Sequence, residues 1–316
     1  MARVLITGIT GAIGGALAPR LARERHELRA LIRRTPEQLA AAGRPLDPTI
    51  EPAVGDVVTG VGLANALAGI EIAYYLVHSM EPNATAGPKF DELEARAATQ
   101  FGAAAAAAGV RRIVYLGGLV PASPAISTHL ASRLAVEQTL LTAVPDSIAF
   151  RASIVIGASS RSFRFIVRLV ERMPVLLIPA WGRRRTAPVD QRDVIECLAA
   201  AAAADGAEVG RSLDLAGPDT VSYGQLIERI RDELLIARPV VNLSGLSLTP
   251  IAARVSATLS GESFELIGPL MDSLSTDLLP REPTATRVLG VRPHSLRAAI
   301  ERALRDWESQ ETLRAR

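Results

Sequence analysis

What this chain has little of bounds it first. A single cysteine, Cys197, excludes an intramolecular disulfide and any zinc site built on cysteines. Its neighbours Val194, Ile195 and Leu198 predict a buried helical position rather than a reactive thiol. Lysine is almost missing, since the basic residues are arginine apart from Lys89. With 35 basic against 33 acidic residues the chain makes no charge patch of the kind nucleic acid attracts. No segment approaches the roughly eighteen consecutive apolar residues of a membrane span. The first strand begins by Val4, which leaves no room for a signal peptide, so the expectation is a cytoplasmic protein. No internal repeat is visible. What remains, 48% hydrophobic and 22% charged residues, is the composition of a globular protein with a substantial core rather than of a disordered one.

The most informative stretch runs from Val4 to Gly15. An apolar run too short for a helix, Val4-Leu5-Ile6, leads into Gly8-x-x-Gly11-x-x-Gly14, after which Ala12 to Arg25 reads as an amphipathic helix. Strand, glycine turn and helix in that order suit a dinucleotide, whose pyrophosphate sits on the helix N-terminus while glycines let the backbone approach it. Thr10 and Ile13 lie inside the same turn. A second strand, about Glu27 to Ile32, ends in Arg33-Arg34, at the distance where a carboxylate would hold the ribose 2′-hydroxyl of NAD. An arginine pair there instead suits the 2′-phosphate of NADP, through charge-assisted and often bidentate hydrogen bonds.

Farther along, Ile50 to Val54 predicts a third strand leading into Gly55-Asp56-Val57. Asp56 is placed either to bond the adenine amine or to cap a helix at Leu63 to Ala68, and the sequence leaves both open. Ile72 to Ser79, which contains Leu76, Val77 and His78, is apolar nearly throughout, as a parallel strand buried on both faces should be. A helix is expected at Asp91 to Ala108, a strand at Arg112 to Leu116 before Gly117-Gly118, a helix at Ser127 to Ala143 and a strand at Ser147 to Ile154. Six strands alternating with helices make a doubly wound parallel sheet, an α/β fold of the Rossmann type. From Ser159 the pattern is irregular. Phe163, Ile166, Val167, Val170 and Met173 share one helical face and Arg161, Arg164, Arg168 and Arg172 the other. That arginine face reads as a solvated surface, the wall of an apolar substrate pocket, or a peripheral membrane contact. Further helices are expected at Asp190 to Ala204, Tyr223 to Ile236, Pro250 to Leu259, Phe264 to Leu274 and Ser295 to Trp307, with a short strand at Leu213 to Leu215.

On Thr7-Gly8-x-Thr10-Gly11-x-x-Gly14, the Ala30-Leu31-Ile32-Arg33 strand end, Gly55-Asp56-Val57, Tyr74 to Met80, Arg112 to Gly118 and Pro188-Val189-Asp190-x-x-Asp193-Val194, the sequence resembles the short-chain dehydrogenase/reductase superfamily, in its atypical NmrA-like, NAD(P)H-binding branch. The resemblance implies an NADP-binding Rossmann domain over residues 1–158. It also implies a smaller C-terminal substrate lobe over 159–316, with a part near 186–217 returning to the core. It implies cofactor contacts from Gly8, Thr10, Gly11, Ile13, Gly14, Arg33, Arg34, Asp56, Val57, Leu76, Val77, His78, Gly117 and Arg133.

The superfamily's catalytic serine and Tyr-x-x-x-Lys are absent. The serine strand end is Gly117-Gly118, and His129 and Arg133 occupy the register of the tyrosine and lysine. A spacing of four keeps these two on one helical face. An arginine can hold ribose hydroxyls but cannot give up its proton. A histidine beside that cation is expected in the neutral form. His78 is a second candidate for proton transfer, while His26 and His294 read as surface residues. Two function classes follow: an NADP-dependent oxidoreductase acting on a small hydrophobic carbonyl, enone or quinone-like substrate, and a non-catalytic NADP-binding sensor or assembly factor. The sequence names neither a substrate nor an oligomeric state.

Overall fold

The computed structural model describes residues 1–77, 90–121, 127–243, 276–309 and 311; the candidate His78 and the helices expected at 250–259 and 264–274 lie outside them. The chain opens with β1 (Arg3–Thr7), α1 (Ala12–Arg23), β2 (Glu27–Ile32), α2 (Pro36–Ala41), β3 (Glu51–Val54), α3 (Leu63–Leu67), β4 (Ile72–Tyr75), α4 (Phe90–Ala107), β5 (Arg112–Gly118), α5 (Thr128–Ala143) and β6 (Ile148–Ala152). After short strands β7 (Val155–Ile156), β8 (Leu176–Pro179), β9 (Arg185–Thr186) and β10 (Val189–Asp190), with α6 (Arg161–Arg172) between the first two, α7 (Gln191–Ala200) leads to β11 (Arg211–Leu215). The chain closes through β12 (Val221–Ser222), α8 (Tyr223–Glu233), β13 (Val240–Leu243), α9 (Ala285–Val288) and α10 (Leu296–Glu308).

The main sheet has seven strands in the order β11-β6-β5-β4-β1-β2-β3, every neighbouring pair parallel. It is a Rossmann-like α/β sheet, as expected, with one strand more than the six anticipated because β11 returns to its edge beside β6. The continuous apolar strands have a direct cause: both faces are covered. In β5, Val114 and Leu116 enter the cluster that packs α1 and α7, while Ile113 and Tyr115 enter the one that packs α3, α4 and α5. Full burial of each such side chain stabilises by roughly 1.5–3 kcal/mol. A third cluster joins α6, α8 and α10 through Phe163, Val167, Leu226, Ile230, Ile300 and Trp307.

Several element ends differ from expectation, each for a local reason. The first helix stops at Arg23 rather than Arg25, because Arg25 takes a left-handed φ of 62°. The strand expected to run to Ser79 ends at Tyr75, since the Leu76 N–H leaves the ladder for the Thr7 hydroxyl at 2.9 Å. The helix expected from Asp190 starts at Gln191, with the Asp190 carboxylate as its cap. The helix expected to reach Ile236 ends at Glu233, ahead of Leu235 at φ 56°. The arginine face of α6 is not simply solvated: Arg164 and Arg168 lie over the Trp307 ring, 4.3 and 5.2 Å from its centroid, and both pair with Glu311.

Candidate functional site

The chain reverses its winding between β1 and β4, which are adjacent in space although β2 and β3 intervene in sequence. In open parallel sheets the crevice beyond the strand ends at such a point is where ligands bind. Thr7 closes the end of β1 onto β4, donating from its hydroxyl to the Tyr74 carbonyl at 3.1 Å and accepting from the Leu76 N–H. Gly8 follows at φ +68°, and a Cβ there would sit 2.9 Å from the Leu76 carbonyl oxygen. A Cβ on Gly14 would fall 2.4 Å from the Gly8 oxygen, so this glycine lets α1 pack on the turn.

Gly11 differs from both. Its φ of −84° is ordinary, and an added Cβ would meet only the Gly8 oxygen, at 3.1 Å, with open space beyond. As N-cap of α1 it supplies no side-chain hydrogen bond, and no acidic residue stands in the first turn. By contrast α5, α6, α7, α8 and α10 are capped by the side chains of Ser127, Ser160, Asp190, Ser222 and Ser295. The first-turn N–H groups of α1 therefore face an exposed glycine, which suits a pyrophosphate. Thr10 is exposed on this turn, and Ile13 packs from α1 onto the core.

Along the same edge, Arg33 and Arg34 are exposed directly after β2. The Gly55 N–H donates to the Ile32 carbonyl at 2.9 Å, which brings Asp56 beside the end of β2. The Asp56 carboxylate does not cap α3, whose N-cap is Gly62; its Oδ1 closes a turn by accepting from the Val58 and Thr59 N–H groups at 2.7 and 2.9 Å. Val57, Leu76 and Val77 are half-buried around this crevice.

On the other side of β4, α5 carries His129 and Arg133 at the spacing expected. Burial holds His129 below the ordinary imidazole pKa; desolvation, rather than the expected neighbouring cation, is the cause. Arg133 is 6% exposed, and its Nη1 stands 3.7 Å from Oε1 of Glu94, itself 4% exposed on α4. The Ser132 hydroxyl donates to the same carboxylate at 3.0 Å. Burial lowers Arg133 to about 10, which leaves it a cation at neutral pH. Where the superfamily resemblance places a serine, Gly117 has the Tyr115 ring against it: a Cβ would lie 2.8 Å from the ring and 3.1 Å from the hydroxyl. That hydroxyl, kept protonated by burial, donates to the Arg133 carbonyl at 3.4 Å.

Of the histidines read as surface residues, His26 is half-buried and accepts the Ala2 N–H at 3.2 Å, whereas His294 is exposed but bonds buried Asp193 through its own N–H (2.8 Å) and its ring Nδ1 (2.6 Å). Cys197 is buried as expected, with its thiol pushed up to about 12. Sequence reasoning missed Glu94 and Tyr115. Nothing in the α4 sequence marks one glutamate among several as a partner of Arg133, but a tyrosine two residues before a strand glycine is a readable sign that its ring leans over the gap. Among the described residues no group of acidic, histidine or cysteine side chains could hold a metal ion.

A Rossmann sheet with a glycine turn at its switch point and an uncapped helix beyond has the form of a dinucleotide-binding domain. Comparison with known proteins makes this specific. The NAD(P)H-binding family model matches residues 8–132, so this part of the chain is similar to NAD(P)H-binding domains. A ceramide reductase of Caulobacter vibrioides is 29% identical over 173 residues, 55% of this chain and 52% of that one. A (4-alkanoyl-5-oxo-2,5-dihydrofuran-3-yl)methyl phosphate reductase of Streptomyces griseus is 29% identical over 226 residues, 69% of each. Subunit 9 of the Arabidopsis thaliana mitochondrial NADH dehydrogenase alpha subcomplex is 27% identical over 124 residues, 39% of this chain and 31% of that one. The match thus spans about a third of this subunit and about half of the ceramide reductase. Among solved structures, gox2253 superposes with a TM-score of 0.73 at 23% identity, covering 98% of both chains. The UDP-glucuronic acid 4-epimerase of Bacillus cereus, in complex with UDP-glucuronic acid and NAD, gives 0.70 at 16% identity over 98% of this chain and 99% of that one. At these identities the superpositions establish the fold. No described helix is long and apolar enough to cross a membrane.

Proposed function

We propose that the protein is an NADP-dependent oxidoreductase acting on a small hydrophobic carbonyl, enone or quinone-like compound, with residues 1–158 binding the dinucleotide and residues 159–316 forming most of a substrate lobe. The observation that carries this reading is the turn at Gly8, Gly11 and Gly14, open in front of α1 and flanked by exposed Arg33 and Arg34 where a carboxylate would select NAD. Arg33 and Arg34 would take the 2′-phosphate, Asp56 the adenine amine through its second oxygen, and Arg133 the nicotinamide ribose. A bound nicotinamide would supply the hydride. His129, neutral at physiological pH, or ordered water would manage the proton. Two of the relatives above are named as reductases, one of ceramide and one of an alkanoyl-bearing methyl phosphate, which supports a reductive direction.

A second reading, a non-catalytic NADP-binding module, is favoured by Gly117, His129 and Arg133 in place of the usual triad, and by likeness to a subunit of a larger assembly. One series of experiments separates the two. Calorimetric titration should show NADPH binding more tightly than NADH, and Arg33→Ala should erase most of that difference by removing a contact of roughly 1.5–3 kcal/mol. Stopped-flow oxidation of bound NADPH across quinones, enones and hydrophobic ketones should show turnover, lowered about 10²–10⁴-fold by His129→Ala. Equal affinities would remove the NADP assignment. Tight NADPH binding without oxidation by any compound would establish the binding module.

A further inference from the structure

We propose that Tyr223 and Trp181 together hold the neutral carbonyl oxygen of an apolar small molecule, in the C-terminal region beyond the end of β6. The inference deepens the oxidoreductase reading by naming side chains that would bind its substrate class. Tyr223 is 2% exposed at the start of α8, and its hydroxyl is buried without a hydrogen-bond partner among the described residues. The Nε1 of Trp181 is buried and equally without a partner. The two rings meet edge to face, with centroids 6.4 Å apart at 75°. Buried polar atoms are nearly always bonded, so two orphans on one touching pair point to an acceptor that the folded chain does not itself supply.

Position and charge narrow the class of that acceptor. Ser153 follows β6 directly, and its hydroxyl is bonded to that of Thr186 at 3.0 Å in the interior. Thr186 in turn lies near enough to the Tyr223 phenol to favour its ionised form without an aligned bond between them. This polar string runs from the C-terminal end of the sheet, where ligands of such folds bind, to the orphan pair. Burial dominates the phenol and pushes it up to about 12, so it keeps its proton and can donate; an indole N–H can only donate. Among the described residues the one charge that acts on the phenol is Asp277, which pairs with Arg185 at 3.0 Å and disfavours an anionic guest. Two neutral donors beside a carboxylate select a neutral oxygen, and Trp181 packs against the apolar cluster of Phe163 and Leu226. The chain neighbours Gly182, Ser222 and Gly224, but neither aromatic side chain, line an open pocket of about 320 Å³ between the Trp181 turn and α8, so a guest that enters there reaches the orphan pair only when the rings shift.

The test uses the full chain without nucleotide, with methyl octyl ketone as the neutral probe and decanoate as its anionic counterpart, followed by tryptophan fluorescence and thermal melting. The ketone should shift the emission and raise the melting temperature, and decanoate should bind at least about ten-fold more weakly. Tyr223→Phe should weaken ketone binding about ten-fold, as loss of one buried hydrogen bond does. The same variant should melt at or above the wild-type temperature, because it removes an orphan hydroxyl. Trp181→Phe should weaken ketone binding likewise. No response to the ketone, decanoate binding as tightly, or unchanged affinity in Tyr223→Phe would each overturn the proposal. So would a lowered melting temperature in Tyr223→Phe, which would make the hydroxyl a structural bond to Thr186. Ketone binding that depends on Tyr223 without any NADPH oxidation would leave this site standing and remove the oxidoreductase reading. Ketone reduction with binding indifferent to Tyr223 would do the reverse.

Discussion

Gly11 and Gly14 stand three residues apart and answer to different constraints, which separate nucleotide binding from folding. Gly11→Val places a side chain at an ordinary φ with open space ahead of it, so the expected result is loss of NADPH binding at a melting temperature close to wild type. Gly14→Val instead drives a Cβ into the Gly8 carbonyl at 2.4 Å, and the expected result is loss of the folded state. Parallel melting curves and nucleotide titrations on the two variants check this; NADPH binding retained by Gly11→Val would place the pyrophosphate elsewhere. His129 gives the residue scale a pH dependence. Its folded pKa is depressed by burial below the ordinary value of about 6.5, so the proton prefers the unfolded chain. Stability is therefore complete above about pH 6.5 and falls as pH drops from there through the folded pKa. His129→Gln should flatten that part of the curve, read from urea midpoints between neutral and mildly acid pH. An unchanged slope would show that the imidazole titrates as it does in the unfolded chain.

At the scale of elements, the alternation of strands and helices was legible because the inner strands β1, β4 and β5 are apolar on both faces and most helices on one, so periodicity changes where the element does. Strand ends were less legible. No local signal shows that the Leu76 N–H will turn to Thr7, since the bond crosses 69 positions. The pairing of β8 with β13 was also hidden, because β13 is a short, partly exposed stretch directly after Pro239 rather than a clear apolar run. The arginine face of α6 shows the same limit. Its period was plain, but the residue that covers it, Trp307, comes well over a hundred positions later on α10. That contact predicts a gradient of costs. Trp307→Ala, at a site 1% exposed, should destabilise by about 3–5 kcal/mol, as truncation of a buried aromatic does. Arg164→Ala should cost no more than about 1–2 kcal/mol, since a partly exposed cation over a ring and a surface ion pair are each weak. Urea unfolding of the two variants measures both, and equal costs would mean that the guanidinium, not the ring, holds α10 in place.

Over the whole molecule, the cofactor half of the candidate site could be read from residues close in sequence, while the rest depends on charges that meet only when distant elements pack. Glu94 reaches Arg133 from another helix, and a larger network ties α5 to the far edge of the sheet. Glu137 on α5, 3% exposed, accepts from Arg151 of β6 at 2.8 and 2.5 Å and from the Ser212 hydroxyl of β11 at 2.6 Å. Arg151 in turn stands 4.0 Å from Asp214, which accepts from Arg281 through its N–H at 2.8 Å and its Nε at 3.1 Å. Glu137 raises the Arg151 pKa through these hydrogen bonds, the mark of a cation that folding has committed to one partner. Removing that partner leaves half-buried Arg151 with only the more distant Asp214 carboxylate at 4.0 Å, so Glu137→Ala should destabilise by up to about 3–5 kcal/mol. Arg281→Ala acts at a side chain that is mostly in solvent and should cost under about 1 kcal/mol. The decisive variant is the double replacement Glu137→Leu with Arg151→Met. It exchanges the buried pair for apolar groups of similar length, and should recover most of what Glu137→Ala loses. Equilibrium unfolding in urea of these three variants and of the single replacements Glu137→Leu and Arg151→Met measures these terms. A double variant as unstable as the sum of its single replacements would mean that Glu137 and Arg151 act independently, and that α5 is held against β6 and β11 by its apolar contacts alone.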